Sequence, residues 1–152
     1  METHAEPLAW FSWHYVVLEG DRPIAKIEPS PLGRRVVLEV GERRYEMRRR
    51  VGFGRFELWD GGEIVAWARR ESLFRRAYVV TYEGGALTLA SSSWLGRAFE
   101  LREGGATIGS IALGRFPTRR ARVDLPERLP AHVRALLVAL AVLQWRAMAR
   151  SG

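Results

Sequence analysis

Near the C-terminus, Ala135-Leu136-Leu137-Val138-Ala139-Leu140-Ala141-Val142-Leu143 runs without a single polar side chain. Pro126 and Pro130 precede it, and from Ala131 to Arg150 there is neither proline nor glycine. The stretch therefore reads as a helix over about residues 130–150, with Pro130 in its first turn. A helix with no polar face has to be buried on every side. Three surroundings could do this. One is a bilayer, but the uncharged stretch between Arg134 and Arg146 is shorter than the ~20 residues a bilayer core takes, even if snorkelling arginines extend it. The outside of a β-sandwich is another, and it would leave one face wet. A closed sheet threaded by the helix covers every face, and the sequence favours this surrounding.

The rest of the chain supplies such a sheet. Short acidic-glycine turns recur at Glu19-Gly20-Asp21, Val40-Gly41-Glu42, Asp60-Gly61-Gly62, Glu83-Gly84-Gly85 and Glu103-Gly104-Gly105, roughly 20 residues apart, and their flanks do not repeat. Looser connections alternate with them, so each interval holds two strands. Strands are expected over Arg34–Val40, Arg43–Arg50, Arg55–Trp59, Glu63–Arg70, Arg76–Tyr82, Ala86–Ser91, Arg97–Arg102, Ala106–Leu113 and Thr118–Leu125, preceded by two more over about Ala9–Leu18 and Arg22–Glu28. Met1 to Leu8 carries neither period, which allows a flexible tail there. Eleven or twelve strands in one domain must split into two sheets or close. Together with the apolar helix, they predict a mainly β fold: one domain over residues 1–152, a closed antiparallel barrel of about 12 strands around a central C-terminal helix.

Few catalytic chemistries are open to this composition. The chain has no cysteine, which removes disulfides and thiolate metal sites and fits a reducing interior. Met1 to Glu6 is acidic and lacks an apolar core, so no secretory signal is expected. His4, His14 and His132 lie far apart in sequence, with His4 in the tail and His132 at the helix entry, and no metal site is expected from them. Gly52-Phe53-Gly54 reads as a strand connection rather than a phosphate loop, and Ser91-Ser92-Ser93 as a polar loop without an adjacent base. Trp67 and Trp145 sit in apolar contexts that predict core positions, while Trp94 is the candidate exposed aromatic. No cofactor is implied.

Charge is the remaining functional signal. The net charge is +7, and Lys26 is the only lysine, so the excess is almost entirely arginine. A GC-rich genome would produce such a bias on its own, and so would solvated strand ends. An anionic partner is the functional alternative, because guanidinium grips phosphate and carboxylate in bidentate fashion. If consecutive strands run up and down, the acidic turns share one end of the barrel. The opposite end then collects arginines, from which Arg48, Arg49, Arg50, Arg69, Arg70, Arg75, Arg76, Arg119 and Arg120 are the candidate anion-binding residues. The helix would finish at this same pole and bring Arg146 and Arg150 to it, where they also complement the negative helix terminus.

The hairpin series, Ile64-Val65-Ala66-Trp67-Ala68-Arg69-Arg70 leading through Leu73-Phe74 to Arg76-Ala77-Tyr78-Val79-Val80, then Ile108-Gly109-Ser110-Ile111 and the closing helix together resemble the tubby C-terminal-like superfamily. That group includes tubby domains, phospholipid scramblases and LURP-one-related proteins. The resemblance runs from about Arg34 onward and implies a twelve-stranded barrel around a central helix. It also implies lipid-linked roles, since tubby domains bind phosphoinositides and scramblases are linked to lipid movement and calcium. No phosphoinositide motif maps onto this chain residue by residue, and the acidic and cysteine-rich segments of scramblases are absent. The expected function is a non-enzymatic binding module that engages anionic phospholipid or another phosphorylated partner through the arginine-rich barrel end. Nucleic-acid binding by the same pole and an enzyme with a small-molecule pocket at the barrel mouth are the alternatives. The expected location is cytoplasmic, with peripheral contact to a membrane.

Overall fold

The computed structural model describes residues 2–9, 12–31, 35–50, 54–71, 76–93, 96–114 and 119–151. Its strands are β1 (Thr3–Pro7), β2 (Tyr15–Glu19), β3 (Arg22–Pro29), β4 (Arg35–Val40), β5 (Arg43–Arg50) and β6 (Arg55–Asp60). They continue as β7 (Glu63–Arg70), β8 (Ala77–Tyr82), β9 (Gly85–Ser91), β10 (Ala98–Glu103), β11 (Ala106–Leu113) and β12 (Ala121–Asp124), and the chain ends in helix α1 (Ala131–Ser151). Every strand pairs antiparallel with its neighbours in the chain, and β1 pairs with β12 through Thr3↔Val123, His4↔Arg122 and Ala5↔Ala121, which closes the barrel.

The tight turns carry glycine where the backbone enters the left-handed region: Gly41 and Gly61 have φ of 60° and 61°. Alternation then decides what points inward. Val36 and Leu38, Tyr45 and Met47, Leu87 and Leu89, and Phe99 and Leu101 are buried at every second position. Small inward residues such as Ala25, Ala66, Ala68 and Ala121 leave room on the axis for a helix. Helix α1 occupies it, and Val133, Leu136, Leu137, Ala139, Leu140, Ala141 and Val142 are wholly buried. By length and composition α1 could also cross a membrane, yet here the protein's own sheet wraps it. Each buried leucine or valine contributes about 1.5–3 kcal/mol, as an upper value.

Three sequence expectations need correction. Residues 1–8 are not a flexible tail over their length, because Thr3–Pro7 is β1. Without it, β2 and β12 would present rows of unpaired backbone donors and acceptors. This strand buries only Ala5 and His4, too little apolar surface to write a period-two pattern in the sequence. The strand expected from Ala9 starts instead at Tyr15. Ahead of it, among the described residues, Leu8 N–H donates to His14 O (2.8 Å), Ser12 N–H to Ala9 O (2.9 Å) and His14 N–H to Ser12 Oγ (3.0 Å). At the other end of the sheet, β12 begins at Ala121, after Arg119 with its φ of 51°, so the expected strand is shorter; its expected start, Thr118, lies outside the described residues.

The direction of α1 sets which of its residues reach each end of the barrel. Pro130 accepts from Val133 N–H (3.0 Å) and Arg134 N–H (3.1 Å) at the end carrying the tight turns. At the opposite end the Trp145 indole N–H donates to Gly96 O (3.1 Å), and its ring lies 6.4 Å from those of Tyr15 and Phe99. The helix thus enters at the turn end and finishes at the mouth, as its sequence direction predicts.

Candidate functional site: an arginine-lined barrel mouth

Inward-facing positions continue past the apolar core at the mouth. In β5 the series Tyr45, Met47 leads to Arg49, and in β7 Ala66, Ala68 leads to Arg70. These two arginines are therefore the last inward residues of their strands. Their cross-strand partners are aromatic rather than acidic, with Arg49 opposite Phe56 and Arg70 opposite Tyr78. On α1, Leu143, Arg146, Ala147 and Arg150 share one face by helical spacing. Strand and helix faces meet around a crevice of about 270 Å³, into which Arg49, Arg70, Arg146, Arg150 and Tyr78 converge. Among the described residues, no carboxylate lines it.

Among the described residues that line the crevice, none is a carboxylate that could neutralise the four guanidinium groups. Arg146 is only 6% exposed and donates through Nη1 to Ser30 O at 3.0 Å, while Arg150 Nη2 reaches Pro31 O at 3.4 Å. Carbonyl oxygens fix direction but cancel no formal charge. Burial, followed by the charge of Arg150, pushes the Arg146 guanidinium below its ordinary pKa. Arg49 lies over the Phe56 ring at 6.0 Å. Arg70 Nε is buried and, among the described residues, has no hydrogen-bond partner. A buried N–H donor of this kind calls for an acceptor. Tyr78 closes the floor and donates its hydroxyl to Gln144 Oε1 at 3.5 Å. Its burial raises the phenol pKa, and the charges of Arg70 and Arg49 partly oppose that rise. The site therefore offers donors and positive charge in a partly desolvated cleft. Guanidinium donors and positive charge of this kind suit an anion, and among the described residues that line the crevice there is no nucleophile–base pair.

The remaining candidate arginines lie elsewhere. Arg48 and Arg50 have the opposite parity to Arg49 and sit on the outer wall, paired with Glu46 (2.8 Å) and Glu57 (3.4 Å). Arg69 also faces outward, beside Arg55 and Trp67. Arg120 pairs with Glu6 at 3.3 Å. The Arg119 guanidinium lies over Trp13 at 4.4 Å, and its Nη2 donates to Ala9 O. Arg76 Nη1 contacts Met148 Sδ at 3.6 Å. Arg75 lies outside the described residues, as does the aromatic candidate Trp94. The structure thus brings Arg49 and Arg70 of the nine together and adds Arg146, Arg150 and Tyr78. The sequence direction of the helix already brings Arg146 and Arg150 to this pole, and the register at 143, 146, 147 and 150 puts them on the face that lines the crevice.

The aromatic and polar readings divide as well. Trp145 is core, at 2% exposure, but Trp67 is corrected to the outer wall at 36%, because its neighbours Ala66 and Ala68 take the inward positions of β7. Arg55 covers it at 5.3 Å. Ser91 Oγ donates to Ser93 O and Ser93 Oγ accepts from Arg97 N–H, which is the bonding of a polar turn. His132 stacks on Tyr45 with centroids 5.3 Å apart, and His4 in β1 pairs with Glu6 at 3.2 Å. Among the described residues, no three His, Asp or Glu side chains are placed to hold a metal ion. No family model, curated protein or solved structure matches the chain.

Proposed function

We propose that this protein is a non-enzymatic binding module that engages a phosphorylated anion, in an anionic phospholipid or another phosphorylated partner, at its arginine-lined mouth. The observation carrying this reading is the convergence of Arg49, Arg70, Arg146 and Arg150 on one crevice that no described carboxylate lines, with Arg70 Nε buried and unpaired among the described residues. Phosphate suits such a site better than a carboxylate does, since its oxygens radiate toward donors arriving from several directions. Carriage of Arg146 and Arg150 on a helix locked inside the barrel preorganises half the site, which lowers the ordering cost of binding. Membership of the tubby C-terminal-like superfamily is part of the proposal, and the closed barrel around an axial helix supports it.

Co-sedimentation at low salt tests the proposal. Vesicles of phosphatidylcholine alone should leave the protein in solution. Vesicles doped with phosphatidylserine or a phosphoinositide should recover it, and added salt should release it. Equal recovery on neutral and anionic vesicles would sink the reading. A salt-sensitive mobility shift with DNA or RNA, without vesicle binding, would transfer the site to nucleic acid instead.

A further inference from the structure

At the opposite end of the barrel lies a second cavity, of about 450 Å³. Helix residues Ala131, Arg134, Ala135 and Val138, spaced i, i+3, i+4, i+7, face the walls formed by β2, β3 and β12. Two alanines on that face leave a gap, and the β2–β3 register shifts between Val17 and Leu18 beside it. The gap reaches solvent. Val17, Ala25, Val123 and Ala135 keep 4%, 7%, 5% and 3% exposure, whereas much of the core keeps none. Val40 and Val138 complete the apolar part of the lining, to which Thr3, Glu19 and Arg22 add polar groups, and the volume is within the range of small-molecule sites. Arg134 lines this cavity and also an adjoining one that Glu2, Asp124 and Glu127 line. Arg134 Nε is buried and, among the described residues, makes no hydrogen bond, while the nearby Glu19 is already paired with Arg22 at 3.3 Å.

From this combination we infer that the cavity binds a short aliphatic acyl group, whose chain fills the valine-lined space and whose carbonyl or carboxylate oxygen accepts from Arg134 Nε. The site is separate from the arginine mouth and does not depend on it. A free acid and an ester share this chemistry, so octanoate and methyl octanoate are both probes.

The test reads the melting temperature and the valine methyl signals of the full chain during titration. Either probe should raise the melting temperature and shift the methyls of Val17, Val123 and Val138, and the arm that binds more tightly identifies acid or ester. Affinity should rise about fourfold per methylene from butanoate to octanoate. Arg134→Met keeps the aliphatic stem and should bind about tenfold or more weakly. Ala135→Phe should fill the gap and abolish the response. If Ala135→Phe does not fold, Arg134→Met and the methyl map of the parent decide the matter. No response to either probe, shifts away from these valines, or unchanged affinity in Arg134→Met would each overturn the inference.

Discussion

The two ends of the barrel handle the same residue type in opposite ways. At the turn end, three exposed arginines meet carboxylates: Arg22 with Glu19 at 3.3 Å, Arg43 with Asp60 at 3.0 Å and Arg128 with Glu103 at 2.7 Å. At the mouth, Arg49 and Arg70 face Phe56 and Tyr78 across the strands, and Arg146 and Arg150 rest on backbone carbonyls. The difference comes from facing rather than from composition. Side chains on turns and outer walls lie among acidic neighbours and pair with them. Inward positions belong to an apolar series, so an arginine placed last in that series has no acid within its own row. Positive charge therefore survives at the mouth as a consequence of strand parity.

The largest effect should come from the element both ends share. Leu140→Asp places an unpaired charge at a fully buried position of α1, and the domain should lose its cooperative thermal transition by circular dichroism. A variant melting like the parent would show that the helix is not enclosed. Next in size is the contrast between the ends. Arg70→Gln and Arg49→Gln should each weaken binding to anionic vesicles by about tenfold or more, given ~1.5–3 kcal/mol for a charge-assisted hydrogen bond. Arg128→Gln at the turn end should leave binding unchanged. Comparable losses at both ends would mean that net charge alone drives association.

Smaller effects sharpen the turn end. Gly61 has φ of 61° and open space where a Cβ would sit, so Gly61→Ala isolates the backbone term. It should cost about 1 kcal/mol and lower the melting temperature by about 2–4 °C. The smallest effect concerns His132, whose imidazole pKa is lowered mainly by burial. Its depressed folded value means the unfolded chain takes up the proton first. The stabilisation is therefore complete above the unfolded value of about 6.5 and is lost as pH falls through the folded value. His132→Phe, which keeps a ring against Tyr45, should flatten the slope of melting temperature with pH below that point. An unchanged slope would assign the acid sensitivity to other groups.

The architecture was largely legible in the sequence because its two signals are strong. An apolar run from Ala135 to Leu143 allows no wet face, and glycine turns at near-even spacing mark hairpins. β1 was not legible, since Thr3–Pro7 becomes a strand through pairing with β2 and β12 rather than through its own pattern. The site was legible only at the level of a pole. Sequence order places Arg48, Arg49 and Arg50 together, but a strand sends neighbours to opposite faces, and only Arg49 follows Tyr45 and Met47 inward. Trp67 fails for the same reason, since its apolar context belongs to the inward alanines on either side. Parity, counted from the buried residues of each strand, separates the converging arginines from the paired ones.

The Nε–H resonance of Arg70 offers the most direct test, followed by NMR while a soluble polyphosphorylated headgroup such as inositol hexakisphosphate is added at low salt. An anion-binding mouth predicts a saturable shift at Arg70, with the Nε–H of Arg128 at the turn end unmoved. A silent Arg70, or equal shifts at the two ends, would contradict it.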